Sequence, residues 1–101
     1  MNISILTAKM TYDKDSGYTG QVQFEVEGHN RSYEITLHSS KGNDWSYGLH
    51  FLGEPGKEED IFAVEEFIED NDEAFDHLIE AARNKCENDP RANSDHKLQL
   101  Y

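Results

Sequence analysis

Five histidines, one cysteine, a His-Ser-Ser run and a long series of carboxylates are the residues of this chain whose chemistry could amount to function. His29, His38, His50, His77 and His96 are scattered; no two stand at i,i+4, and no cysteine lies near any of them. Zinc motifs group their ligands more tightly, because one turn of chain must aim two of them at a common point. His38 and His50 could meet across neighbouring strands with Glu34, but the set reads as polar surface imidazoles. Residues 13–20, DKDSGYTG, carry the spaced acids of a calcium loop. That loop needs glycine at its sixth position and glutamate at its twelfth. Here Tyr18 is sixth and glycine comes at the fifth, so a hairpin turn is the better account. Cys86 falls on an apolar helical stripe and reads as a small buried hydrophobe rather than a nucleophile. His38, Ser39 and Ser40 are adjacent, but a triad is defined by geometry and not by adjacency. No phosphate-binding glycine loop, nucleophile elbow or zinc signature is present. The reading is therefore of a non-enzyme, with no catalytic residue, no cofactor and no metal.

The carboxylates are different. Residues 58–80 hold eleven of them and no lysine or arginine. On a continuous helix, Glu65, Glu66, Glu69, Glu73, Asp76 and Glu80 form one row at i,i+3 and i,i+4 steps, about 5–6 Å apart. Part of this is ordinary: a helix keeps its polar face in water, and acids near its start favour its dipole, as Arg83 and Lys85 do near its end. The dipole effect fades within a turn, whereas the acids continue for several turns past Glu65. Like charges at i,i+4 cost about 0.2–0.5 kcal/mol per pair, and interleaved lysines would reverse the sign. The row thus repels itself, and a cationic partner would relieve it. These six residues are the expected partner-binding surface, docking on a basic protein surface, including one that otherwise holds nucleic acid. The alternatives are a structural homo-oligomer, or a small-ligand or enzyme domain whose site is not identified.

The charge balance narrows the partners. Net charge is −12, with seven acids and five bases in residues 1–57 and fourteen acids and four bases in residues 58–101. Binding to phosphate backbones needs clustered bases, so direct contact with nucleic acid or an anionic membrane is not expected. No apolar run approaches the about 20 residues of a membrane span. The start, MNISILTAKM, lacks a basic segment followed by a long apolar one. A single cysteine permits no internal disulfide. A cytoplasmic monomer or homodimer is the expectation.

The elements that position these residues follow from periodicity. Val22, Phe24 and Val26 alternate with glutamines and glutamates, and Tyr33, Ile35 and Leu37 alternate with polar residues, so two half-buried strands are joined at residues 28–31, GHNR. A first strand over residues 2–12 has mixed phase, with Ile3 and Ile5 on one parity and Leu6, Ala8, Met10 and Tyr12 on the other; a bulge near Ile5 and Leu6 reconciles them. A fourth strand over 45–52 puts Trp45, Tyr47, Leu49 and Phe51 on one face. Strands are expected at about 2–12, 19–27, 32–38 and 45–52. Tyr12 and Tyr18 flank the first turn and are candidates for an exposed contact patch. After residues 53–56, GEPG, three-four spacing of Ile61, Val64, Ile68, Phe75, Leu78, Ala82 and Cys86 predicts helix over 58–87. Phe67 and Ile79 widen the stripe, and Phe62 lies off it, placed to cap the sheet edge. Asn71 stands in the middle of the stripe. A straight helix of that length would reach about 45 Å, against about 17–20 Å for an ordinary strand. A break at residues 70–72 is favoured, with Asn71 or Asp70 capping the second segment. The fold expected is α+β: a four-stranded, mainly antiparallel meander with a C-terminal acidic helix or broken helix pair packed on one face, in a single domain over 1–87. Residues 88–101 read as a polar tail, in which Leu98, Leu100 and Tyr101 form a short docked strand or none. No residue pattern places the chain in a family.

Overall fold

The computed structural model describes residues 1–86. The tail over 88–101, with its expected docked strand and His96, lies outside them, as does Glu87. Four strands, β1 (Ile3–Asp13), β2 (Gly17–Val26), β3 (Tyr33–Ser39) and β4 (Ser46–Phe51), are followed by helices α1 (Glu58–Asp70) and α2 (Asp72–Arg83). The sheet is antiparallel in the order β1-β2-β3-β4, a meander in an α+β fold. The first hairpin reverses tightly within residues 14–16, whereas six residues separate β2 from β3 and β3 from β4. Asp13 shapes the first turn: its carboxylate accepts hydrogen bonds from the Asp15 amide at 3.3 Å and the Ser16 hydroxyl at 2.9 Å.

Register explains the two faces. Val22 stands between Ala8 and Ile35, Phe24 between Ile5 and Tyr33, and Leu49 beside Ile35. All of these side chains share the face that the helices cover. The β1 ladder shifts between Ile5 and Thr7, which leaves Leu6 as the extra residue and turns it out to 46% exposure. The bulge lets Ile3 and Ile5 and then Ala8 and Met10 serve the same core despite their different parity. Val22, Phe24, Tyr33, Ile35 and Leu37 are at most 1% exposed, and Val64, Ile68, Leu78, Ile79, Ala82 and Cys86 close over them. Burying a Leu, Ile or Phe contributes about 1.5–3 kcal/mol each.

The helix breaks at Asn71, whose backbone is extended at φ −128°, ψ 95°. The expected cap is corrected in its direction. The Asn71 carbonyl receives the first amides of α2, from Ala74 and Phe75, but its side chain makes no cap there. Its amide instead donates to the Phe67 carbonyl at 3.0 Å, satisfying an orphan acceptor at the end of α1. The break lets two short helices each fit the sheet, α1 against β4 and α2 against β1 and β2. α2 stops at Arg83, short of the residue 87 expected, and Asn84, Lys85 and Cys86 continue it in tight turns. Two glycines admit the close approaches. Gly20 carries no Cβ where one would lie 3.5 Å from Ala82 and 2.8 Å from the Met10 methyl. Gly17, at φ +86°, lets the first turn lie on the loop after β3, where a Cβ would come within 2.7 Å of Ser40.

Candidate functional site

The break divides the acidic row. Glu65, Glu66 and Glu69 belong to α1 and Glu73, Asp76 and Glu80 to α2, so they do not lie along one helix axis as a continuous helix would have placed them. All six are exposed, and of the eleven acids in residues 58–80 only Asp60 is half-buried. Among the described residues none of the eleven is in an ion pair; the pair formed there is Arg31 with Glu54, at 3.2 Å, in the first half of the chain.

Glu69 is the exception to a free row. Its carboxylate accepts a 2.6 Å hydrogen bond from the Tyr47 hydroxyl. Tyr47 sits on the core face of β4, tilted against Phe75 at 5.3 Å. Burial first, then the bond to Glu69 and the charges of Glu69 and Glu65, push its hydroxyl far above the ordinary tyrosine range. Glu69 therefore ties α1 to β4 while Glu65 and Glu66 face water.

Phe62 is the residue that sequence reasoning misplaced. It does not cap the sheet edge; it is 61% exposed on α1. At about 100° per residue it points about 140° away from the buried Val64 and Ile68. Its neighbours one turn either way are Glu58, Glu59, Glu65 and Glu66, all exposed. The signal is present in the sequence, since Phe62 is the apolar helical residue off the stripe, but its meaning depends on how far β4 extends beneath α1.

The tyrosine patch is also corrected. Tyr18 is 3% exposed and Tyr12 half-buried, their rings 4.9 Å apart. The helices reach this end of the sheet and bring Arg83 with them. Its guanidinium lies 4.9 Å from the Tyr18 ring centre and 5.7 Å from that of Trp45, and donates to the Gly42 carbonyl at 3.3 Å. Arg83 is thus the base in the last turn of α2, as expected, and is half-buried against these two rings.

The histidines stay apart. His50 is the register partner of Glu34, whereas His38 is the partner of Ser46, four residues along β4. That is about 14 Å of strand, and the His38 ring turns the other way, 3.0 Å from the Ser16 carbonyl. His29 lies 2.7 Å from the Tyr33 hydroxyl. Among the described residues no three His, Cys, Asp or Glu side chains converge as metal ligands would. Cys86 is buried at 5% exposure.

Two other surfaces remain. The sheet face away from the helices carries Thr7, Gln23 and Glu34 in a chain, with Thr7 donating to Gln23 at 3.1 Å and Gln23 to Glu34 at 3.1 Å. A shallow groove of about 330 Å³ runs past Met1, Phe67 and His77 at the helix break. Asn71, Glu73 and His77 are the polar residues that line the groove. Among the described residues no helix is long and apolar enough to cross a membrane.

Comparison with protein-family models, with curated proteins and with solved structures finds no match to this chain.

Proposed function

We propose that the chain is a non-enzymatic protein-binding module or inhibitor whose acidic helical face docks on a basic protein surface. Such a surface is one that otherwise holds nucleic acid, whose charge the carboxylates imitate. One observation carries this reading: Glu65, Glu66, Glu69, Glu73, Asp76 and Glu80 are all exposed, with no lysine or arginine anywhere in residues 58–80 and no ion pair to them among the described residues. Stability does not ask for this arrangement. Interleaved lysines on the same faces would replace repulsion with attraction at about 0.2–0.5 kcal/mol per pair. A one-sign surface does raise the association rate with an opposite one and screens out like-charged competitors.

The test is affinity capture from the native host with the natural chain and with a variant in which all six residues are Gln. A partner that is retained by the natural chain, released as salt rises from about 50 to about 200 mM, and lost by the variant is the expected result. An identical set of partners for both proteins would remove the acidic face from the account.

A further inference from the structure

We propose that the docking face is centred on Phe62, and that the partner it fits is a protein that binds single-stranded nucleic acid in a basic groove with an aromatic stacking platform. The inference rests on the reading of the acidic face given above and names its anchor and its partner class.

Phe62 is the largest exposed apolar side chain among the described residues, at 61% exposure. Folding does not account for it, since it stands on the opposite side of α1 from Val64 and Ile68. An isolated aromatic side chain in water would be unremarkable on its own. Its setting is what argues: the exposed Glu58, Glu59, Glu65 and Glu66 are its neighbours at the i−4, i−3, i+3 and i+4 positions, with Cβ atoms about 5–6 Å from its own, so the phenyl group lies between two pairs of carboxylates. A second copy of the chain cannot cover this face with the same face, because two sets of these four carboxylates would be brought together. The complement is a cationic surface with a place for a flat apolar group.

Two features choose a single-strand site over a duplex one. A duplex hides its bases and shows a binding protein two long rows of phosphates. An exposed ring has no counterpart there, and the break at Asn71 interrupts the row that a duplex would need. Single-strand grooves read both parts: cationic side chains follow the backbone, and aromatic side chains receive base faces. Phe62 supplies the π-face and its four glutamates the charge.

The experiment is displacement of a fluorescein-labelled oligothymidylate from a single-strand-binding protein of the five-stranded barrel type, followed by anisotropy. A labelled duplex on a basic architectural protein is the parallel arm. The competitors are the natural chain, Phe62→Ala, a Glu58→Gln/Glu59→Gln/Glu65→Gln/Glu66→Gln variant, and a Glu73→Gln/Asp76→Gln/Glu80→Gln variant. The expected result is displacement of the oligothymidylate but not of the duplex, weakened about tenfold or more by Phe62→Ala and by the α1 charge variant, and weakened less by the α2 variant. Phe62 is exposed, so its replacement leaves the far-UV spectrum intact, which is checked in the same samples. No displacement by the natural chain overturns the proposal. Displacement unaffected by Phe62→Ala, or equal in the duplex arm, overturns it too. In either case the parent reading stands if the six-Gln variant has lost its captured partner, and falls with it if that partner is retained.

Discussion

Tyr47 shows how one side chain can hold part of the surface to the core. Its hydroxyl lies 2.6 Å from Glu69, and its ring supports Phe75. Tyr47→Phe removes that bond and nothing of the ring, so a loss of about 1 kcal/mol at neutral pH is expected from denaturant unfolding. The same variant has a signature at high pH. The folded chain holds the Tyr47 proton more tightly than the unfolded chain does, and Tyr33 acts in the same direction through burial and then the nearby Asp60. The contribution of these two groups to stability is therefore constant below the unfolded tyrosine value of about 10 and falls as pH rises past it, where only the unfolded state releases their protons. The fall is expected to be shallower in Tyr47→Phe, with Tyr33 supplying what remains. Equal alkaline slopes in the two proteins would show that Tyr47 is not the group responsible. Replacing Glu69 tests the other end of the bond less cleanly, because that residue also contributes to the acidic face.

At the scale of elements, α2 is joined to the loop between β3 and β4 by Arg83. The guanidinium faces Tyr18 and Trp45 and bonds the Gly42 carbonyl, while the buried Ser39 hydroxyl accepts the Gly42 amide at 2.8 Å. Lysine keeps the charge but not the planar fork or its stacking. Arg83→Lys is expected to cost about 1–2 kcal/mol and to speed amide exchange over residues 40–44 well beyond that in the β1–β2 hairpin. Uniform exchange across both regions would mean that Arg83 does not hold the loop. This contact also marks where sequence reading stopped. The hairpin of β2 and β3 was legible because alternation of Val22, Phe24, Val26 and of Tyr33, Ile35, Leu37 is local. Asn71 betrayed the break because an amide has no place in an apolar stripe. The inward turn of Arg83, the burial of Tyr18 and the exposure of Phe62 depend on where α1 and α2 cross the sheet. That crossing follows from the break geometry and from Gly20, which admits Ala82. Periodicity says which side of a helix is apolar, not how far the surface beneath it reaches. The acidic residues were legible as a set, but their division between two helices was not.

For the whole molecule, charge is the property that sets it apart: ten of the twelve net negative charges fall in residues 58–101. Within α1 the like pairs Glu65–Glu69 and Glu66–Glu69 repel, as do Glu73–Asp76 and Asp76–Glu80 within α2. Replacing the six row residues by Gln removes these four pairs together with Glu66–Asp70 and Asp72–Asp76; set against the weakened bond from Tyr47 to position 69, a net gain of about 1 kcal/mol is expected. Sodium chloride is expected to raise the melting temperature of the natural chain, and to do so much less for the variant. A natural chain indifferent to salt would mean that its carboxylates already find enough compensation. The order of the elements has one more consequence. In the meander each strand meets only its neighbours in sequence, so the sheet is assembled from local contacts. Closure of the core is the long-range step, because α2 must return from residues 72–83 to β1 and β2. During synthesis the sheet leaves the ribosome first, with Val22, Phe24, Ile35 and Leu37 uncovered until α2 follows. Until then these apolar residues lack their cover, and the acidic helices that follow supply both that cover and a charge that repels neighbouring chains.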